Sequence, residues 1–315
     1  MQAAILAAGL GTRLRPLTLS TPKALVPVLN RPLLGLWLLQ LQRAGCSRVA
    51  VNTHHLSDQV HQFVETHKPP GLEVILRPEP ELLGTGGGLG SLAAALMEEP
   101  FLAANVDVLT DLDLAGLWAG HEREALATLV LHDFPPLNRV WLSLEGEVLD
   151  IGGKPRQSPA QALAYTGIQL VSPQLRKWLP AEGYADLVNI WRRIISQGGL
   201  LKGKVVSGHF WQDLGTLDGY LAAHRRLLSG VPLALASWFP EVQDPLLGEG
   251  TVVAPGVTFA GGVCLGREVT VGEGAWLKNT VVWDQAEISP KVRLENCVVG
   301  RRAKVTANRR GELII

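Results

Sequence analysis

A six-residue period runs through the C-terminal part of this chain, and very few folds accept such a period. Leu247, Val253, Phe259, Leu265, Val271 and Leu277 recur at that step, and Gly248, Ala254, Ala260, Gly266 and Gly272 follow the first five of them. A second apolar row, Val257, Val263, Val269 and Ala275, keeps the same step. Two hexads lose one residue, Leu277 to Val281 and Leu294 to Val298, and both read Leu-x-Asn-(Thr/Cys)-Val. The register then resumes at Val282, Ile288 and Leu294, and again at Val299 and Val305. Because side chains alternate across a strand, a six-residue step puts one short strand on each side of a triangular prism. The large aliphatic faces inward and the small residue turns the corner. The two short hexads lie 17 residues apart, one turn of such a three-sided coil.

This pattern resembles the hexapeptide-repeat, left-handed parallel β-helix, over about residues 247 to 305. The earlier part of the chain reads differently. Apolar runs at Ala3–Ala7, Val49–Asn52, Val74–Leu76, Phe101–Ala104 and Thr128–Leu131 predict buried parallel strands. Helical patterns at Leu33–Ala44 and Leu89–Met97 alternate with them, as in a doubly wound α/β domain. From Val140 to Ile151 the pattern becomes one of paired strands, turning at Glu145-Gly146-Glu147. Residues 230 to 245, with Pro232, Pro240 and Pro245, read as a linker.

Charge is informative through its placement. The chain has 29 basic and 29 acidic residues, so no net field draws it to nucleic acid or to an anionic membrane. From Met1 to Ser57, however, there is no Asp or Glu, while Arg13, Arg15, Lys23, Arg31, Arg43 and Arg48 all fall there. Three widely separated cysteines, Cys46, Cys264 and Cys297, imply no disulfide framework. The longest nearly apolar stretch, Gly86 to Met97, is shorter than the roughly 20 residues a membrane span requires. Met1 leads directly into a strand pattern, and a cytoplasmic location is expected.

Directly after the first apolar run comes Leu6-Ala7-Ala8-Gly9-Leu10-Gly11-Thr12-Arg13-Leu14-Arg15-Pro16-Leu17-Thr18, then Thr21-Pro22-Lys23-Ala24-Leu25-Val26-Pro27. Glycines let backbone N–H groups approach a ligand, and Arg13 and Lys23 add charge suited to a polyphosphate. Neither familiar phosphate loop fits. A dinucleotide fingerprint needs Gly where Leu14 stands, and a P-loop needs Gly-Lys-Ser/Thr. The full string resembles the signature of the sugar-1-phosphate nucleotidyltransferases, and the resemblance extends over the first 228 residues. Gly84-Thr85-Gly86-Gly87-Gly88 is similar to that family's second glycine-rich segment. Asn105-Val106-Asp107-Val108 and Trp211-Gln212-Asp213-Leu214-Gly215-Thr216 are similar to its two aspartate segments. Lys154-Pro155 and Tyr165-Thr166-Gly167-Ile168 match its sugar-phosphate side. Asn52-Thr53-His54-His55 also resembles members of the family and reads as loop-ordering, since no Cys or carboxylate stands at ligand spacing.

The resemblance implies an α/β chain in three parts: a Rossmann-like, doubly wound mixed-sheet nucleotidyltransferase domain (1–228), a linker (229–246) and a short left-handed β-helix (247–315). It implies that a nucleoside triphosphate and a sugar 1-phosphate yield a nucleotide sugar and pyrophosphate. GTP with mannose 1-phosphate is the leading expectation, and uridylyl transfer to N-acetylmuramate or another sugar 1-phosphate is the alternative. Arg13, Lys23 and Lys154 are the expected catalytic residues. Ala8, Gly9, Gly11, Thr12, Gly84, Thr85, Gly86 and Gly87 are expected at the nucleotide, and Lys154, Thr166 and Gly167 at the sugar phosphate. Asp107 and Asp213 are the expected ligands of Mg²⁺. The β-helix is expected to make the chain a homo-oligomer.

Two positions depart from the family pattern. Val106 stands where Gly is usual and would crowd the ribose or shift Asp107, and Gly153 stands where Glu commonly precedes the lysine. Two other classes stay open. Hexapeptide coils also belong to acyltransferases, but no His follows His224 to serve as their base. A catalytically silent, nucleotide-sugar-sensing subunit is the other, kept open by Val106 and opposed by the intact Arg13, Lys23, Asp107, Lys154 and Asp213.

Overall fold

The computed structural model describes every residue except 154, 156–158 and 240–241. In chain order the elements are β1 (Gln2–Leu6), β2 (Pro27–Val28), β3 (Arg31–Pro32), α1 (Leu33–Arg43), β4 (Arg48–Thr53), α2 (Ser57–His67) and β5 (Glu73–Pro78). Next come α3 (Gly84–Ala95), β6 (Phe101–Asn105), β7 (Val108–Thr110), α4 (Leu114–Ala119), β8 (Ala127–His132), β9 (Val140–Leu142) and β10 (Val148–Ile151). Then follow β11 (Gln161–Val171), α5 (Leu187–Ser196), β12 (Leu201–Val205), β13 (Trp211–Asp213) and α6 (Leu217–Ser229). Short strands from β14 (Leu246–Leu247) to β26 (Leu313–Ile314) complete the chain. The contacts divide into two compact units. One holds Met1–Gly9, Trp37–Val108 and Leu112–His209, and the other holds Leu10–Leu36, Leu109–Asp111 and Phe210–Ile315.

The first unit is built on a nine-stranded sheet in the order β10-β9-β11-β6-β1-β4-β5, with β8 beside β11 and β12 beside β8. Strands β6, β1, β4 and β5 run parallel, and β11 runs antiparallel to both β6 and β8, so the doubly wound sheet is mixed. The apolar runs read from the sequence are these strands. Ala3, Ala4 and Ile5 are fully buried, as are Val49, Ala50 and Val51, because helices cover both faces of a parallel sheet. Strand β11 makes a bulge. Against β8 its register jumps between Tyr165 and Gln169, which pair with Leu131 and Leu129 respectively. Three residues, Thr166 to Ile168, stand there against the single Val130, and all three are buried.

One helix differs from the sequence reading. The pattern predicts a helix over Leu89–Met97 with Gly84–Gly88 ahead of it, but α3 already begins at Gly84. Glycine disfavours a helix by roughly 1 kcal/mol per residue, so packing decides the matter. The segment before α5 lies directly on the first turn of α3. Ala185 donates its N–H to the Leu83 carbonyl, and its own carbonyl accepts from Gly86 and Gly87 at 2.8 and 3.3 Å. A Cβ at Gly87 would collide with the Gly183 carbonyl oxygen, so only glycine permits this approach.

The second unit contains the coil. Its strands form three parallel sheets in the orders β14-β17-β20-β23-β26, β15-β18-β21-β24 and β16-β19-β22-β25, one for each side of a left-handed β-helix. The row read as inward is inward: Leu265, Val271, Leu277, Val282, Ile288, Leu294, Val299 and Val305 form its core. At the corners, a Cβ on Gly266 or Gly272 would lie 2.6 or 2.5 Å from a backbone nitrogen of the next coil. The shortened hexads place Asn279 and Asn296 at φ 47° and 53°, the left-handed region that Asn tolerates, and Asn279 donates its side-chain N–H to Asn296 at 3.0 Å.

One side of the coil is apolar outside as well as inside. Cys264, Val281 and Val298 alternate with the inward row yet are 0–1% exposed, whereas Thr270, Glu287 and Lys304 on another side are exposed. Residues from the N-terminal part of the same unit cover that side. Asn30 donates to the Leu265 carbonyl at 2.7 Å, the Trp283 indole donates to the Tyr220 hydroxyl at 3.1 Å, and that hydroxyl donates to the Pro27 carbonyl. His224 is enclosed beside them: its Nδ1 donates to the Tyr220 carbonyl at 2.9 Å, and its Nε2 accepts from the Leu29 N–H at 3.2 Å. Burial pushes the His224 pKa down from 6.5 to about 4. An unfolded chain takes up that proton near pH 6.5, whereas the folded unit resists it until near pH 4. The stability it contributes is therefore complete above the higher value and is lost as pH falls between the two, by about 3 kcal/mol in full. Urea unfolding between pH 7 and pH 4 should show this slope, and His224→Gln should make it shallower.

Candidate active site

Gly9 and the residues before it belong to the first unit, and the rest of the glycine string belongs to the second. Gly9 follows β1, is exposed, and an added Cβ there meets no atom within 4 Å among the described residues, its chain neighbours aside. The protein's own packing therefore gives no reason for glycine at that position. The preceding turn is fixed from behind, since the Ala7 N–H donates to Asn52 Oδ1 at 2.6 Å. Ala8 is buried.

In the second unit Gly11 has φ 62°, and its carbonyl accepts from the Thr18 hydroxyl at 2.8 Å. That bond folds the string onto buried Leu14 and Leu17 and leaves Thr12 and Arg13 exposed. Lys23 is half-buried and opens a short 3₁₀ turn, Lys23–Leu25. Arg13 meets Asp213, which ends β13 far along the chain: Nη1 lies 3.6 Å from Oδ2. Asp213 Oδ1 accepts from the Gly215 N–H at 2.7 Å, which fixes the direction of the carboxylate. A Cβ at Gly215 would press on the Arg13 guanidinium, the movable end of a long side chain, and would lie 2.9 Å from Asp213 Oδ1. The pair is part-exposed, so its electrostatic contribution to stability is small.

The first unit carries the other aspartate. Asp107 is half-buried in the turn between β6 and β7. The Trp37 indole N–H lies between the two carbonyls that flank it, at 3.1 Å from Val106 and 2.9 Å from Val108. The Val106 N–H donates to the Leu6 carbonyl at 3.1 Å. The Val106 side chain is 3% exposed, so protein encloses it and it does not project into open space. Gly167, on the bulge of β11, packs on the same turn: its Cβ would lie 2.8 Å from the Val108 side chain. Thr166 is fully buried, and its hydroxyl donates to the Val130 carbonyl at 2.9 Å, so its hydroxyl shapes the bulge.

The second glycine-rich segment is used largely within the protein. Gly86 and Gly87 give their N–H groups to Ala185, and Thr85 Oγ1 accepts from the Leu187 N–H at 3.0 Å. Gly84 begins the helix at φ 69°. Lys154 lies outside the described residues. At Gly153, where a Glu side chain is absent, a Cβ would collide with Asp150 Oδ2, so the Asp150 carboxylate occupies that space.

Among the described residues no group of three or more His, Cys, Asp or Glu is placed to hold a metal. Asp107 and Asp213 nonetheless offer hard carboxylate oxygens, the donor type that suits Mg²⁺, an ion that takes its remaining ligands from water and phosphate. Sequence reasoning missed Trp37, Glu79 and Asp150. Trp37 carries a signal only in retrospect, as the one aromatic residue of helix α1.

Residues 2–230 match the nucleotidyl transferase family. Among curated proteins, the UTP–glucose-1-phosphate uridylyltransferase of Synechocystis is 27% identical, covering 96% of this chain and 88% of its own. The N-acetylmuramate α-1-phosphate uridylyltransferase of Neisseria meningitidis is 31% identical, covering 69% of this chain and 94% of its own. The mannose-1-phosphate guanylyltransferase of Mycobacterium tuberculosis is 26% identical, covering 96% and 83%. Among solved structures, HddC from Yersinia pseudotuberculosis, complexed with GMP-PN, superposes with a TM-score of 0.61 at 21% identity, covering 72% of this chain and 99% of its own. That likeness is one of fold.

Replacing Trp37 with Phe keeps the aromatic ring and removes the N–H that meets the two carbonyls around Asp107. The expected cost is about 1–3 kcal/mol, read as a lower urea midpoint.

Proposed function

The chain belongs to the nucleotidyl transferase family, and from that premise we propose that it joins a nucleoside triphosphate to a sugar 1-phosphate, forming a nucleotide sugar and pyrophosphate. The observation that carries this reading is the meeting of Arg13 and Asp213, which brings a cation of the glycine string to a carboxylate from the end of β13. In the proposed reaction a phosphate oxygen of the sugar 1-phosphate attacks the α-phosphorus in line, the new P–O bond forms, and the bond to the pyrophosphate oxygen breaks. No protein nucleophile is needed, so catalysis is positioning and charge neutralisation.

Each residue then has an assigned task. Ala8, Gly9, Gly11 and Thr12 present backbone to the triphosphate, and the open space at Gly9 supports this. Arg13 receives the departing pyrophosphate, Lys23 holds the nucleotide phosphates, and Lys154 holds the attacking phosphate. Gly84 to Gly87 lie against base and ribose, and Thr166 and Gly167 shape the sugar-phosphate side. Asp107 and Asp213 hold Mg²⁺, which when bound neutralises phosphate charge and polarises the α-phosphate.

GTP with mannose 1-phosphate is the favoured pair, and uridylyl transfer to N-acetylmuramate 1-phosphate or another sugar 1-phosphate is the second reading. The guanylyltransferase and the glucose uridylyltransferase both align with the coil included, whereas the N-acetylmuramate enzyme covers 69% of this chain. Pyrophosphate release should be assayed with four nucleoside triphosphates against a panel of sugar 1-phosphates. Failure of every pair would remove the reading. Asp107→Asn and Asp213→Asn are each expected to lower Mg²⁺-dependent turnover by about a thousandfold, and near-normal rates in both would remove the metal assignment.

Self-association through the coil belongs to the same proposal. Leu247 and Val252, 42% and 61% exposed, lie on terminal strands of their sheets, where large aliphatics remain in contact with water. Sedimentation of the parent should show an oligomer that Val252→Asp weakens; a monomeric parent would count against it.

A further inference from the structure

Two buried polar side chains link the turn after β1 to the start of α3. Asn52, near the end of β4, is 2% exposed, and Glu79, just after β5, is 5% exposed. Asn52 Oδ1 accepts from the Ala7 N–H at 2.6 Å, and its Nδ2 donates to Glu79 Oε1 at 2.6 Å. The second carboxylate oxygen, Oε2, accepts from the Leu83 N–H at 3.2 Å, one residue before α3. The backbone of Glu79 is tied as well: its N–H donates to the Thr53 carbonyl at 2.7 Å, and its carbonyl bonds to His54 Nδ1 at 2.8 Å. Gly88 completes the enclosure, since a Cβ there would lie 2.7 Å from Asn52 Nδ2 and 3.1 Å from Glu79 Oε1.

This chain of bonds has a defined direction: Asn52 accepts on one side and donates on the other, and Glu79 accepts on both, so a change at one of the two must be matched at the other. Burying a carboxylate is costly unless N–H donors meet it, and a core built for stability alone would place aliphatics here. What the arrangement secures is register. The Ala7–Gly9 turn and the Leu83–Gly88 helix start are separated along the chain, and one rigid chain of hydrogen bonds sets their spacing.

We propose that Asn52 and Glu79 are positioning residues for the nucleotide, holding the phosphate turn at Ala7–Gly9 and the glycine-rich helix start at Gly84–Gly88 at one fixed separation. The inference rests on the function proposed above, in which both segments face the nucleoside triphosphate. Neither side chain touches substrate. Their loss should therefore weaken the nucleotide and leave the sugar 1-phosphate largely unaffected.

The test uses the full chain and three variants: Asn52→Asp, Glu79→Gln, and the two combined. Asn52→Asp sets a carboxylate against Glu79, and Glu79→Gln leaves a donor facing a donor. The double variant restores every bond with the polarity between the two side chains reversed. The carboxylate introduced by N52D accepts from the Ala7 N–H and from the amide introduced by E79Q, and the oxygen of that amide accepts from the Leu83 N–H. Each single variant is expected to raise the nucleotide KM and its calorimetric Kd by about tenfold. Both kcat and the sugar 1-phosphate KM should stay within about twofold. The double should return the nucleotide values towards the parent. Equal movement of both KM values, nucleotide values unchanged in the singles, or a double that is unfolded or no better than the weaker single would each overturn the proposal. Calorimetry keeps it separate from the reaction: a parent that binds nucleotide without releasing pyrophosphate removes the function, and the Kd ratios still decide this inference.

Discussion

The second unit depends on an outer face that is not solvated. A hexapeptide coil normally needs only an apolar interior, yet on one of its three sides Cys264, Val281 and Val298 are buried outside the prism. The hydrophobic effect then requires a cover, and the cover comes from the N-terminal segment Leu10–Leu36 and from α6. Polar pairs fix how that cover sits. Asn30 holds the edge of the coil, Tyr220 connects Trp283 to Pro27, and a neutral His224 joins α6 to Leu29. The segment bearing Arg13 and Lys23 is thus held by a β-helix that follows it by more than half the sequence. The coil is part of the foundation of the glycine string.

The two glycine-rich segments show why a motif is not an explanation. At Gly87 the close neighbour is the protein's own backbone, and α3 packs so tightly beneath residues 183–187 that nothing larger fits. At Gly9 an added Cβ meets nothing within 4 Å among the described residues. Composition treats these glycines alike, but one answers to helix packing and the other leaves room for a ligand. The same distinction applies to the departures from the family pattern. Val106 is enclosed by protein, and its backbone is held by Leu6 and Trp37. Gly153 leaves space that Asp150 fills. Both positions are therefore accounted for by the protein's own packing.

Much of the architecture was legible because it is periodic. Alternation and the six-residue step are properties of backbone geometry, so Leu265, Val271 and Leu277 could be placed inside the coil without coordinates. The start of α3 was not legible, because its helical state comes from the Ala185 carbonyl and not from local preference. Glu79 was not legible either. A Glu beside Pro78 and Pro80 reads as a surface loop residue, and only the approach of Asn52 and the Leu83 N–H makes it a buried acceptor.

By itself the sequence determined the strand and helix alternation, the three-sided coil and the residue types able to handle a triphosphate, because each rests on local spacing. Tertiary structure alone decided which of those residues meet. Arg13 reaches Asp213, Trp37 clamps the turn of Asp107, and Thr166 spends its hydroxyl inside a bulge. The physical reason is that a hydrogen bond or an ion pair depends on separations of a few ångströms, and such separations between distant segments are set by how whole elements pack.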